Sequence, residues 1–215
     1  MIHSRIRIKM CGMTRATDIT HAISIGVDAI GFIFYHQSAR YLSVAAAKQL
    51  LQGLPALVSP VAVFVNPEAS FVKHVLSELP IHCLQFHGDE SPQFCEQFGC
   101  PYIKAVPAMS ADAIVRAGNQ YQGAAALLLD TPSSRRGGTG VPFDWAIIPQ
   151  QLEKPVILAG GLDVQNVKAA IASCSPYAVD VCSGIEASPG IKDHDKMSQF
   201  VEKLWGENER VGASR

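Results

Sequence analysis

The sequence predicts an α/β fold, specifically a single-domain (β/α)8 TIM barrel. Three observations carry that reading. Eight apolar, β-branched runs recur along 215 residues, helix-starting signals lie between them, and no linker-like break divides the chain. An open doubly wound sheet is the competing architecture, but eight similar units without a reversal point favour the closed barrel. The barrel is assigned to residues 1–205, and the polar residues 206–215 are expected to fray as a C-terminal tail.

The predicted strands, in order, are "RIRIKMC" (5–11), "DAIGFIF" (28–34), "SPVAVFV" (59–65) and "IHCLQFH" (81–87). "PYIKAV" (101–106), "AALLLD" (125–130), "PVILAG" (155–160) and "YAVDVC" (177–182) complete the set. Gly, Pro, Asn or Asp bounds each of them, and most are almost continuously apolar, as strands covered on both faces should be. Helix starts fall in the intervals. Ser43 can cap "VAAAKQLLQGL", and Asn66 followed by Pro67 can cap a helix whose apolar face holds Phe71, Val72, Val75, Leu76 and Leu79. Ser91–Pro92 repeats that signal, Asp163 can cap "VQNVKAAIA", and Asp193 can cap a helix with Met197, Phe200, Val201 and Leu204 on one stripe. The sixth unit, "FDWAIIPQQL", is the weakest helix because Pro149 interrupts it.

Composition narrows the function. The chain is 48% apolar and 17% charged with a formal net charge of −1, and its Lys and Arg residues are scattered. That argues against nucleic acid as a partner. No apolar run approaches the ~20 residues a membrane span needs. Charges in "MIHSRIRIK" occupy the place of a signal peptide's apolar segment, so the chain is read as mature and cytoplasmic. Six cysteines without CxxC spacing read as reduced thiols rather than metal ligands or disulfides. A monomer is the default expectation at this length.

Chemistry on such a barrel gathers at the C-terminal ends of the strands. The first strand ends in Cys11, the fourth in His87, the sixth in Asp130, and the second loop holds Arg40. "AGGL" after the seventh strand supplies Gly160 and Gly161, and "CSGIE" after the eighth supplies Ser183 and Gly184. Exposed amides in these adjacent turns, with a short helical turn expected at "SGIE", would cradle a phosphate without lysine. A carboxyl group closing the apolar run "ALLLD" must face polar space, and in an enclosed mouth Asp130 suits general-acid work. The period-two rule puts Arg7, Lys9 and Cys11 on one strand face, opposite Ile6, Ile8 and Met10. Lys9 then points into the barrel and needs a carboxylate; Asp180 on the adjacent eighth strand is the candidate. An ammonium below the thiol favours thiolate and would make Cys11 a usable base. The planar fork of Arg40 suits a substrate carboxylate. "RRGGTG" (135–140) reads as a mobile loop able to close over a ligand.

These strand ends resemble the phosphoribosylanthranilate isomerase family. The similarity is carried by "KMCGMT", "GFIFYHQSARY", "QFHGDE", "LLLDT", "GGTGVPFDW", "ILAGGL" and "VDVCSGIEASPGIKD", and it runs from about residue 5 to 205. The resemblance implies an Amadori rearrangement of N-(5-phosphoribosyl)anthranilate to 1-(2-carboxyphenylamino)-1-deoxyribulose 5-phosphate in tryptophan biosynthesis. By the same resemblance Asp130 is the general acid, Cys11 the general base and Arg40 the holder of the anthranilate carboxylate. Gly160, Gly161, Ser183 and Gly184 then bind phosphate, and neither metal nor organic cofactor is needed for the small-molecule phosphosugar substrate. Apart from the resemblance, His87 either orients its turn or reaches the ligand, and His87 and Asp180 are taken as substrate-binding residues. Two departures stand out: "SAR" (38–40) replaces a usual Ser-Pro-Arg, and Cys182 stands where serine is frequent. Other phosphosugar barrels, and a non-catalytic phosphate-binding barrel, are the competing readings.

Overall fold

Eight parallel strands hydrogen-bond side to side and close into a ring in a computed structural model that describes residues 5–132 and 142–206. The strands are β1 (Arg7–Cys11), β2 (Ala29–Ile33), β3 (Ser59–Phe64), β4 (Cys83–Phe86), β5 (Tyr102–Pro107), β6 (Ala126–Asp130), β7 (Val156–Leu158) and β8 (Ala178–Val181). Each falls within or against a predicted run, trimmed at the ends where the chain turns away. Helices α1 (Ala16–Ser24), α2 (Val44–Leu50), α3 (Ala69–Glu78), α4 (Pro92–Glu96), α5 (Ala111–Gln120), α6 (Val167–Cys174) and α7 (His194–Trp205) surround the ring. Among its described residues, the sixth interval forms a single 3-10 turn, Trp145–Ile147, where Pro149 shortens the helical pattern. Among the described residues, no helix is long and apolar enough to cross a membrane. All six cysteines are unpaired.

Register assigns the faces. Lys9 lies beside Ala29 on one neighbour and Asp180 on the other, while Cys11 lies beside Gly31. Following that row round the ring gives Val63, Gln85, Ile103, Ala126, Ile157 and Ala178 as inward residues. A small apolar cluster that includes Ile103, Leu128, Ile157 and Ala178 fills the interior on the β5–β8 side. The alternate residues, Ile8, Met10, Ile30, Phe32, Phe64 and Phe86, are fully buried between the sheet and the helices. Most strands are therefore largely apolar on both faces, which accounts for their nearly continuous hydrophobic runs; β1, which alternates charged and apolar residues, is the exception.

Capping follows the sequence at three helices. Ser43 accepts from the Ala46 N–H, Ser91 from the Phe94 N–H, and Asp193 from the N–H groups of Asp195 and Lys196. Two caps differ. Asn66 sits in the left-handed region (φ 46°), and its side chain accepts from the Asp89 N–H, so α3 starts after Glu68 instead. Asparagine tolerates that conformation, and the neighbouring loop competes for its oxygen. Asp163 caps the turn at Gln165 and Asn166, so α6 begins one turn later, at Val167. The helical turn expected at "SGIE" is also replaced. A backbone bond from Glu186 N–H to Ser183 C=O closes one turn, and a bridge from Asp163 to Gly184 holds the chain extended. A short hairpin follows, β9 (Glu186–Ser188) and β10 (Ile191–Lys192), reversed at Gly190 with φ 82°.

One charged pair braces the loop after β4 from outside the barrel. Lys104 Nζ, buried on the helix side of β5, lies 2.9 Å from Glu90 Oε2 and donates to the carbonyls of Gly88 and Phe86. Glu90 in turn accepts from the N–H groups of Asn66 and Gly88. Removing one member strands a buried charge, so Lys104→Met is expected to lower unfolding free energy by about 3–5 kcal/mol. Urea denaturation checks this: the midpoint falls well below wild type, whereas an unchanged midpoint contradicts the brace.

Candidate active site

The inward parity of β1 brings its polar residues to the C-terminal mouth. Lys9 Nζ donates to Asp180 Oδ2 at 2.8 Å, and both residues are buried. This is the pairing the alternation predicts. Cys11 lies above the pair and leans across β2. A Cβ at Gly31 would come within 2.6 Å of Cys11 Sγ and 3.1 Å of Lys9 Nζ, so only glycine leaves the two groups room. Burial would lower the Lys9 pKa, but Asp180 and the thiol outweigh it and hold the ammonium charged. Burial pushes the Cys11 thiol above its ordinary range, with Lys9 and Lys192 opposing it. The cation therefore stands where the sequence placed it, yet burial exceeds its field and the resting group is a thiol. The expected thiolate is corrected on that point.

On the wall formed by β6, Asp130 has both oxygens engaged. Oδ1 accepts from the Thr131 N–H at 2.8 Å, and Oδ2 lies 3.0 Å from His87 Nε2. Gln85 Nε2 lies 3.2 Å from His87 Nδ1. With the amide N–H donating to Nδ1, the imidazole carries its proton on Nε2 and donates to Asp130. Gly160 (φ 80°) closes over this carboxyl group, because a Cβ there would lie 2.4 Å from Thr131 N and 2.7 Å from Asp130 Oδ1. That glycine therefore leaves room for the Asp130 carboxyl group as well as forming the turn after β7.

Arg40 reaches the mouth from the loop after β2. Loss of proline from "SAR" does not leave this loop unbraced: Ser38 Oγ accepts from the Arg40 N–H, and the Leu42 N–H donates to Ile33 C=O. The side chain crosses Gly12, where a Cβ would lie 2.6 Å from Arg40 Cδ. Its guanidinium is not solitary. Nε and Nη2 donate to Glu186 Oε1 and Oε2 at 2.8 and 2.6 Å, and Lys192 Nζ binds the same carboxylate at 3.0 Å. Burial raises the Glu186 pKa, but the hydrogen bonds from Arg40 and Lys192 outweigh it and hold the group below the usual carboxylate range.

These walls enclose a cavity of about 700 Å³ at the C-terminal end of the barrel. It is lined by Cys11, Arg40, His87, Asp130, Gly160, Gly161, Asp180 and Ser183, so eight of the nine sequence-predicted site residues share it. Gly184 is not among the cavity-lining residues; a Cβ there would lie 2.0 Å from Leu162 C=O, and its bridge to Asp163 joins the β7 and β8 loops. The glycine run 135–140 lies outside the described residues. Sequence reasoning missed Gln85, Glu186 and Lys192. Gln85 continues the inward row of β4, which parity could have revealed, whereas the Arg40–Glu186 contact joins residues far apart in sequence. Gln85 Oε1 and Asp180 Oδ1 are buried with no hydrogen-bond partner among the described residues, and both side chains line the cavity.

A carboxyl group and a thiol on separate walls of one cavity, at the catalytic end of a (β/α)8 barrel, define an acid–base barrel enzyme. Comparison with known proteins narrows the class. Residues 8–203 match the family model for N-(5'phosphoribosyl)anthranilate (PRA) isomerase. An N-(5'-phosphoribosyl)anthranilate isomerase of Legionella pneumophila (strain Paris) is 58% identical over 204 residues, covering 94% of this chain and 99% of its own. The phosphoribosyl anthranilate isomerase structure from Thermotoga maritima is 38% identical, with a TM-score of 0.87 over 93% of this chain and 98% of its own. A further structure, of the isomerase in complex with reduced 1-(o-carboxyphenylamino)-1-deoxyribulose 5-phosphate, is 36% identical with a TM-score of 0.83, over 93% and 98%. The chain belongs to the N-(5'-phosphoribosyl)anthranilate isomerase family, and it catalyses that isomerisation in tryptophan biosynthesis.

Two glycines with nearly equal φ separate backbone strain from close approach. Gly160→Ala incurs both, whereas Gly53→Ala (φ 82°, no atom within 4 Å of the added Cβ) incurs strain alone. Each is expected to lose about 1–2 kcal/mol of stability from the left-handed backbone. Only Gly160→Ala should also lower kcat/KM, by more than about tenfold, because the added Cβ displaces the Asp130 carboxyl group that lines the cavity. Thermal melts and steady-state kinetics on both variants check this.

Proposed function

We propose that this barrel carries out its rearrangement with Asp130 as general acid and Cys11 as general base. The observation that carries the reading is their placement on separate walls of one cavity, with the glycine loops of β7 and β8 in the interval. Asp130 protonates the furanose oxygen, the C1′–O bond breaks, and the nitrogen lone pair forms an iminium. The cationic iminium acidifies the adjacent C2′–H, and the Cys11 thiolate takes that proton to give an enolamine. Transfer of the O2′ proton to C1′ completes the aminoketose. Asp130 is left ionised and Cys11 protonated, and proton exchange with solvent resets the pair.

The remaining groups hold the substrate by its ends. Arg40 takes the anthranilate carboxylate, and amides at Gly160, Gly161 and Ser183 receive the phosphate, with Gly184 locking their loops. The orphaned oxygens of Gln85 and Asp180 are acceptors suited to sugar hydroxyls; buried polar atoms without protein partners normally find one in ligand or water. His87 acts on the acid. Donating from Nε2 orients the Asp130 carboxyl, so the residue adjoins the substrate through Asp130. Anchoring both ends supplies positioning in addition to proton transfer.

Cys11→Ser and Asp130→Asn should each reduce kcat by about 10²–10⁴-fold while retaining affinity for the reduced product analogue. A thiol raised by burial is mostly protonated at pH 7, so kcat/KM should climb with pH above neutrality and approach tenfold per unit. Fluorescence assay of freshly prepared substrate across pH 6–9 reads both. Native turnover in either variant, or a flat profile through that range, contradicts the assignment.

A further inference from the structure

Arg40, the group that meets the substrate carboxylate, already holds a carboxylate of its own chain. Glu186 engages it through Nε and Nη2, the inner edge of the guanidinium, and Nη1 takes no part in the pair. Glu186 is itself fixed from three further directions: Lys192 Nζ and the Gly190 N–H donate to Oε1, and Lys196 Nζ donates to its backbone carbonyl. Lys192 is fully buried at its side chain and also donates to Cys182 C=O, which ties the assembly to the end of β8. The stem of Arg40 is wedged over Gly12. Two cations against one anion leave this cluster with a net positive charge at the cavity rim. A competitor for Arg40 would neutralise it; here Lys192 cancels Glu186, and Arg40 keeps its charge.

We propose that Glu186 is a positioning residue that, backed by Lys192, fixes the plane of the Arg40 guanidinium and so makes the site selective for a carboxylate-bearing aromatic amine. The hairpin β9–β10 is then part of the specificity apparatus. It presents Glu186 to the Nε–Nη2 edge of the fork, which leaves Nη1 of a cavity-lining arginine outside the pair. A freely rotating arginine would deliver the same charge without the bidentate geometry. This inference rests on Arg40 meeting the substrate carboxylate, as argued above.

The test uses two probes: reduced 1-(2-carboxyphenylamino)-1-deoxyribulose 5-phosphate and its counterpart lacking the ring carboxylate. Calorimetry gives Kd for each with wild type, Glu186→Gln, Arg40→Ala and the double variant. Glu186→Gln should weaken the carboxylated probe about tenfold and leave the other within twofold, with the thermal midpoint recorded alongside. In the Arg40→Ala background the same change should add nothing. An unchanged ratio of the two Kd values in Glu186→Gln, an equal loss for both probes, or tighter binding of the carboxylated probe would each overturn the proposal; tighter binding would mark Glu186 as a competitor. If Arg40→Ala itself leaves the ratio unchanged, the assignment of Arg40 fails instead, and the two failures are told apart.

Discussion

A buried ammonium and a buried carboxylate, Lys9 and Asp180, sit 2.8 Å apart at the seam where the first and last strands meet. The pair joins residues 171 positions apart in the chain, on register neighbours of β1 and β8. Such a pair contributes little net stability, because desolvation cancels most of its attraction. Its effect is on arrangement. A one-residue slip of β1 against β8 would send Lys9 among the helices, away from its only carboxylate, so the seam has one acceptable register. Once that register is fixed, Cys11 and Cys182 fall on the inward row, and the mouth acquires its thiol.

The rest of the site holds the proposed base and the proposed acid, Cys11 and Asp130, in unlike surroundings. Cys11 is buried, over an ammonium, with glycine opposite it to leave space. Asp130 accepts hydrogen bonds from a backbone amide and an imidazole, with glycine closing over it. The supporting residues lie behind these two. Gln85 sets the imidazole tautomer, the Lys104–Glu90 pair holds the loop that carries His87, and Glu186 holds Arg40. His87, its loop and Arg40 are thus each held by a second residue that restricts orientation.

Much of this was legible in the sequence because period-two alternation is a local property. "RIRIKMC" alone separates Lys9 and Cys11 from Ile8 and Met10, and the run "ALLLD" forces Asp130 toward polar space. Strand order then supplies Asp180 as the partner of Lys9. What escaped reading depends on contacts between distant loops. Asn66 looks like a cap, but a buried glutamate and the loop after β4 claim its amide and side chain. "SGIE" looks like a helical turn, but a bridge to Asp163 pulls it straight. Glu186 gave no signal, since its partners Arg40 and Lys192 follow no periodic spacing with it. The strength of burial at Cys11 also exceeds what a nearby lysine suggests, because depth in the barrel is a property of the closed ring and not of any one strand.

The account stands on Lys9 acting from beneath the thiol. Its most direct test is the pH dependence of Cys11 alkylation by iodoacetamide, followed by peptide mass, in wild type and in Lys9→Met. Loss of Lys9 removes the largest influence opposing burial at the thiol, and Asp180, left alone in the interior, will take up a proton and cease to matter as a charge. The account predicts that the midpoint of Cys11 reactivity moves to higher pH in Lys9→Met, with the protein still folded. A midpoint that stays in place or moves down would show that the ammonium does not govern the thiol.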